Sequence, residues 1–403
     1  MTPTAVASTL ALAGALLASA VPRLAHADPA LEWNLHGITA AVAANQAPTV
    51  SSRTMALMHA ALFDARNAIE RRYTAYTYSG EVPAGASADA AAAAAAHAVL
   101  LQLIPTLKEG HDRQLAQSLV AVADGPGKAV GIAFGASVGQ ALMRQRTDDG
   151  FGAPNAYRAP TAPGVYVPTA LPVGGDLAGS RPLVLERANQ FRPGPPPELT
   201  GPTWMQALDE TKAIGGRAST TRTAEQTEVA RFWIVTGAPA NNPVIRAAVI
   251  AKGLKGIEAA RTFALAHLAA YDALVAVFDA KYAYNFWRPV TAVRASAKTP
   301  ADAAWMPLVD APMHPEYPCA HCINAAAVST VLQALLGEPG TLAMTSPTLP
   351  GVERRWTRLA DYSAEVSNAR IWSGVHYRFS TEVGARMGRA VGEFIVGKVM
   401  RPT

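Results

Sequence analysis

The stretch HPEYPCAHC, residues 314–322, holds the only two cysteines of the chain, Cys319 and Cys322, with His321 between them and His314 ahead of them. A redox Cys-x-x-Cys belongs in a βαβ setting, which the surrounding sequence lacks. A zinc site needs further ligands, and no second cysteine pair exists. Pro315 and Pro318 predict an extended approach, after which CINAAAVSTVLQALL continues as helix. Residues 319–322 then sit at a helix N-terminus, where unpaired N–H groups and the helix dipole favour an anion. His321 there suits acid–base work on that anion, or caps its own helix. In KYAYNFWRP, Lys281 and Arg288 are seven residues apart and are expected on one helical face, with Pro289 ending or kinking the helix. Beside Phe286 and Trp287, these cations require an anion if buried and snorkel if not. In ARIWSGVHYRF, Ser373 and Gly374 predict a helix end that turns His376 back toward Arg370. Arginine offers a planar donor fork for oxyanions, and neutral histidine a nucleophilic or ligating nitrogen. The alternative is a surface arginine and a helix-ending histidine with no shared role. Together the three stretches describe a pocket for a tetrahedral oxyanion.

In this order the three blocks resemble the signature of the superfamily joining vanadium-dependent haloperoxidases, type 2 phosphatidic acid phosphatases and bacterial acid phosphatases: K-x6-R-P, P-S-G-H and S-R-x5-H. Lys281, Arg288 and Pro289 match the first block, Pro318 and His321 the second, Arg370 and His376 the third. A looser likeness, including RTMALMHAALFDARNAI and FRPGPPPELTGP, resembles bacterial haloperoxidase-type proteins. The resemblance implies that Lys281, Arg288 and Arg370 hold the oxygens of vanadate or phosphate, with a backbone N–H near Ala320 as a further donor. It implies that His376 bonds vanadium or attacks phosphorus, that His321 is the acid–base group, and that His314 lies where bromoperoxidases carry a second active-site histidine. Two departures stand out. Cys319-Ala320 replaces Ser-Gly, so a hydroxyl that would bond the oxyanion becomes a weak thiol donor, and Ala369 replaces the serine before Arg370. Cys319 and Cys322 are either thiols exposed to peroxide chemistry or a disulfide of an exported protein.

The implied activity is a vanadate-dependent haloperoxidase that oxidises halide with hydrogen peroxide to hypohalous acid. The alternative is a phosphomonoester hydrolase working through a phosphohistidine at the same site, without a cofactor. An added N-terminal helical half favours the haloperoxidase, since the bacterial acid phosphatases are compact. A third reading is a non-catalytic anion-binding protein.

The elements that must position these residues read as all-α helical bundles. SSRTMALMHAALFDARNAIERRY places Met55, Met58, Leu62, Ala65 and Ile69 at helical spacing, with Ser51 or Ser52 as cap. SADAAAAAAAHAVLLQLI is a helix by its alanine content, and KAVGIAFGASVGQALMRQR a close-packing one by its glycines. Residues 148–205 are too rich in Pro and Gly for helix and read as a covering loop. They separate an N-terminal helical half, 28–147, from a C-terminal catalytic bundle, 206–403. Alternating strand patterns with hairpin turns are nearly absent. His59, His97 and His267 lie in apolar helical runs and read as core; His36 and His111 have no companions that suggest chemistry.

Half of the 403 residues are hydrophobic and 16% are charged, a globular composition, and the net charge of +5 suits an anionic substrate or surface. No basic run with interleaved aromatics points to nucleic acid. Residues 1–27 read as an export signal, with an apolar run from Ala5 to Val21 and an Ala25-His26-Ala27 cleavage site. The run is nearly long enough for an uncleaved anchor. No later segment reads as long and apolar enough to span a membrane. A periplasmic or secreted protein, with small-molecule substrates and room for a homodimer, is the expectation.

Overall fold

A computed structural model describes residues 28–295 and 301–403; the expected signal at 1–27 lies outside them. The N-terminal helices are α1 (Pro29–Ala43), α2 (Pro48–Glu70), α3 (Ala88–Leu103), α4 (Lys108–Val120) and α5 (Pro126–Gln145). Then follow α6 (Pro202–Gly215), α7 (Ala224–Phe232), α8 (Ala238–Ala251), α9 (Gly256–Tyr284) and α10 (Pro289–Ala295). The chain ends with α11 (Ala320–Leu336), strands β1 (Leu342–Ser346) and β2 (Leu349–Trp356), α12 (Leu359–Trp372) and α13 (Arg378–Lys398). The fold is all-α apart from the antiparallel β1–β2 hairpin, which the sequence reading did not anticipate. Only β1 alternates in burial, through Leu342, Met344 and Ser346, and a five-residue strand is too short to stand out as a period of two.

Helix α9 organises the molecule. It is long and apolar enough to cross a membrane, contrary to the sequence reading, but that apolar stretch is entirely buried within the protein. One continuous core runs from Trp33 on α1 through Phe63 and Phe263 to Val391 on α13. The long helical pattern that includes α8 and α9 is broken at Lys252–Gly256, where Gly253 and Gly256 take positive φ. On the N-terminal side, a Cβ at Gly135 of α5 would lie 2.0 Å from the Ala91 carbonyl oxygen, so α3 and α5 touch backbone to backbone. Neither Ser51 nor Ser52 caps α2. Ala47 is the N-cap, Pro48 occupies the first turn, and both hydroxyls donate back to the Pro48 carbonyl.

Between α5 and α6 the chain forms one 3-10 turn, Leu177–Gly179, and no α-helix. Side chains of α9 tie this segment down, and among them Tyr284 donates its hydroxyl to the Pro193 carbonyl. The Asp272 carboxylate accepts backbone N–H bonds from Leu183 (2.7 Å), Val184 (2.7 Å) and Leu185 (2.8 Å). Asp279 takes Arg192 Nε at 2.7 Å and Nη2 at 2.6 Å, and Tyr282 donates to the Val173 carbonyl at 2.6 Å. Farther along, Tyr166 N–H donates to Asn285 O and Trp287 N–H to Gly164 O. The segment therefore braces the link that carries Arg288.

Candidate active site

Four elements bring the predicted residues together. Lys281 lies in the last turn of α9, but Arg288 is not on that helix. Asn285 adopts a left-handed conformation (φ 52°) and ends α9, while Pro289 starts α10, so Arg288 sits in the short link between them. His314 comes from the extended approach to α11, and His321 from its first turn. Arg370 comes from the last turn of α12, and His376 follows the turn at Ser373 and Gly374. Gly374 has φ 77°, and a Cβ there would lie 2.3 Å from the Gly215 carbonyl oxygen, so no larger residue fits the bend.

The hydrogen bonds fix the protonation pattern. His376 Nδ1 lies 2.6 Å from Glu316 Oε1, and Nε2 lies 3.2 Å from Arg288 Nη1. Arginine only donates, so Nε2 carries the lone pair and Nδ1–H is given to Glu316. A carboxylate placed on the other ring nitrogen in this way orients a metal-ligating histidine and fixes its tautomer. Arg288 Nη2 likewise donates to His314 Nδ1 at 2.9 Å, and its Nε donates to the His314 carbonyl at 3.0 Å. Lys281 Nζ donates to the carbonyls of Pro315 (2.9 Å) and Glu316 (2.7 Å), which leaves a third N–H. Arg370 donates through Nη1 to Trp233 O at 2.8 Å, while its buried Nε has no partner. His321 donates Nε2–H to Val235 O at 3.1 Å, so its Nδ1 is the free acceptor.

Three cations are thus buried around one carboxylate. Burial lowers the Lys281 ammonium well below its ordinary value, reinforced by Arg288 and opposed by Glu316. Burial brings Arg370 down to about 9 and Arg288 to about 10. His314, His321 and His376 are all held well below the ordinary imidazole range by burial and by these cations. Burial raises Glu316 to about 7 against the pull of Lys281 and Arg288. Such a cluster favours an anion. The N–H groups of Ala320 and His321, at the start of α11, have no intrahelical acceptor and add to that preference.

His314, Ala320, His321, Arg370 and His376 line a cavity of about 740 Å³; Lys281 and Arg288 are buried outside its lining. Of the two states open for the cysteines, the structure has the Cys319–Cys322 disulfide, so Cys319 has no thiol hydrogen to donate to an oxyanion. Its Sγ instead accepts the Cys322 N–H at 3.2 Å as the N-cap of α11. The sequence reading missed Glu316. It stands inside HPEYPCAHC, but its partner His376 is sixty residues away, and no local pattern announces that pair. His36 and His111, for which the sequence shows no companions that suggest chemistry, bond each other at 2.8 Å.

The fold is that of bacterial vanadium-dependent haloperoxidase structures. A bacterial vanadium-dependent iodoperoxidase superposes with TM-score 0.80 at 23% identity, over 94% of this chain and 98% of the other. An apo bacterial vanadium-dependent chloroperoxidase gives 0.68 at 16%, over 86% and 92%. A holo form gives 0.64 at 17%, over 93% of each. Residues 261–403 match the family model of the VCPO second helical-bundle domain, a span that contains every predicted site residue. No curated protein matches the sequence.

Proposed function

We propose that the protein is a vanadium-dependent haloperoxidase, oxidising halide with hydrogen peroxide at an oxyanion held by Lys281, Arg288, Arg370 and the N-terminus of α11. The observation that carries this reading is the His376 Nε2 lone pair, set by Glu316 and surrounded by buried cations. Vanadate fits these residues: the unpartnered Arg370 Nε and the third Lys281 N–H are donors without acceptors, and the unprotonated Nε2, held only by the 3.2 Å contact with Arg288 Nη1, would exchange that contact for a bond to the metal. When bound, vanadate would supply the Lewis-acid centre at which peroxide is activated.

The chain's own residues do the rest. Arg288 and Arg370 neutralise the oxyanion's charge, and burial in a low-dielectric site strengthens that effect. Glu316 keeps the proton on His376 Nδ1 and so keeps Nε2 unprotonated. His321, neutral and with Nδ1 open, takes a proton from incoming peroxide and returns it to the departing oxygen. The disulfide removes the thiols that peroxide would otherwise oxidise. It also supports an exported protein, because such bonds persist in oxidising compartments.

The test follows bromination of a phenol-type dye with hydrogen peroxide and bromide, on metal-free protein with and without added vanadate. Activity that depends on vanadate is the expected result. Silence under both conditions, with vanadate-inhibited hydrolysis of a phosphate monoester, would assign the pocket to phosphoryl transfer through His376.

A further inference from the structure

The groups that face the oxyanion are not all held alike. Lys281 and Arg288 are fixed by several carbonyls, those of residues 314–316 and of Val375. Arg370 and His321 each make a single hydrogen bond to protein among the described residues, at 2.8 Å to Trp233 O and at 3.1 Å to Val235 O. Both acceptors belong to residues 233–237, the link between α7 and α8. A planar guanidinium held at one nitrogen pivots about that contact, so the buried, unpartnered Nε of Arg370 aims where the Trp233 carbonyl directs it.

The far end of the link is Gly237, with φ 69°, where a Cβ would lie 2.7 Å from Pro48 Cα at the start of α2. The near end is fixed by the β1–β2 hairpin. Ser346 Oγ donates to Phe232 O at 2.7 Å, and Thr348 Oγ1 to Arg231 O at 2.9 Å. The Trp233 ring is buried against Trp356 and Tyr362, with centroids 5.9 and 5.6 Å away. Apolar packing is non-directional, so the depth and rotation of the indole are set by its hydrogen bond, Nε1–H to Glu365 Oε1 at 3.0 Å. Arg354 of β2 holds that carboxylate in turn, with Nη2 at 2.8 Å from Oε2 and Nε at 3.3 Å from Oε1. Glu365 and Arg370 both belong to α12, so one helix grips Trp233 twice, at its indole N–H and at its carbonyl.

We propose that Glu365, fixed by Arg354, is a positioning residue of the anion site: through Trp233 it sets the carbonyls that aim Arg370 and His321. The inference rests on Arg370 binding the oxyanion, and it is the same for halide oxidation and for phosphoryl transfer. It also gives a part in the site to the β1–β2 hairpin, whose two strands line no part of the cavity.

The experiment is titration calorimetry of orthovanadate into metal-free protein, without peroxide or halide. Trp233→Phe removes the indole N–H and keeps an aromatic ring, and Glu365→Ala removes the acceptor. Each should weaken orthovanadate binding about tenfold, within the usual effect of altering a group that orients a ligand-holding side chain. The double variant should bind no more weakly than either single one, because both delete the same bond. Glu365→Gln should bind within about threefold of wild type: Trp233 Nε1 and Arg354 Nε both donate to Oε1, so the amide oxygen takes that place. Glu228→Ala is the control. It removes another carboxylate from Arg354, 3.4 Å away and 43% exposed, and should leave the affinity within about twofold. Urea denaturation of each variant separates stability from positioning. Lowered urea midpoints with unchanged orthovanadate affinity in Glu365→Ala and Trp233→Phe would make Glu365 a structural residue and overturn the proposal, as would losses that multiply in the double variant. Failure of the wild type to bind would refute the anion site itself and this proposal with it. Orthovanadate binding that keeps this pattern in a protein inactive toward halide would refute the haloperoxidase reading and leave the positioning role in place.

Discussion

Two clusters of histidines lie along α9, and they are built for different ends. In the first, His59 of α2 and His267 of α9 stack with ring centroids 5.1 Å apart and planes within 2°. Asn34 Nδ2 donates to His59 Nε2 at 3.1 Å and to Asn242 Oδ1 at 2.6 Å, and His267 Nε2–H reaches the same oxygen at 3.1 Å. In the second, His314, His321 and His376 face a cavity among buried cations. Burial lowers the imidazoles in both. A depressed histidine therefore marks desolvation, not function. What separates the clusters is where the open positions lie: the unpartnered His59 Nδ1 lines no cavity, whereas Arg370 with its unpartnered Nε, and His376 with an unprotonated Nε2 held at 3.2 Å by Arg288, line one.

The largest expected difference follows from that contrast. His376→Ala removes the one ligating nitrogen and should lower kcat by at least about 10³-fold, the upper range for loss of a single oxyanion-stabilising group. Steady-state bromide oxidation with saturating vanadate measures it, and a variant with more than a tenth of wild-type kcat would refute the assignment. Next comes Glu316→Gln. An amide can present either a donor or an acceptor to His376 Nδ1, so the proton is no longer confined to Nδ1. Vanadate affinity should fall about 10- to 100-fold, the usual effect of altering the group that orients a metal-ligating histidine. The midpoint of vanadate reactivation reads this directly, and an unchanged midpoint would show that the carboxylate does not orient the ligand.

How much of this was legible in the sequence divides along the same line. The helices and the three motif blocks are local patterns, and periodicity or spacing exposes them. Lys281 and Arg288 were placed together for an incorrect reason: the expected shared helical face does not exist, because Asn285 terminates α9. They meet instead through the carbonyls of residues 314–316. Glu316 and the carbonyls of Trp233 and Val235 act across long sequence separations, which no local pattern encodes. The His36–His111 pair escaped notice for the same reason. Asp272 is similar: nothing around it in α9 shows that it holds residues 183–185.

The structural cluster should respond in stability where the site responds in turnover. His267→Phe keeps the stacking but removes one of the two donors to Asn242 Oδ1, and since Asn34 Nδ2 still bonds that oxygen the loss is that of one hydrogen bond, about 0.5–1.5 kcal/mol. Urea denaturation at pH 7 measures it, while kcat should stay within about twofold of wild type. The same variant sharpens the pH dependence. Burial lowers His267 to about 3 from an ordinary 6.5, so between those values the unfolded chain binds the extra proton. Its contribution is intact above pH 6.5 and is lost as pH falls, by about 1.4 kcal/mol per pH unit. Between pH 6 and 4, the stability of His267→Phe should fall less steeply than that of wild type by this amount. Equal slopes would mean that the His267 ring is already charged in the folded protein.

The smallest effect lies at the edge of the anion site. His314 accepts from Arg288 Nη2 at 2.9 Å and packs edge-on against Phe278, with centroids 5.0 Å apart, so it belongs to both the polar floor and the apolar wall. Bromide is harder to oxidise than iodide and depends more on groups that stabilise developing charge. Removing one hydrogen bond to a charged group is worth about 1.5–3 kcal/mol, roughly tenfold or more in rate. His314→Ala should therefore lower kcat/KM for bromide by about that factor and leave iodide within about threefold. Equal losses for both halides would assign His314 to holding Arg288 in place, and the comparison between halides separates that positioning role from direct assistance to halide oxidation.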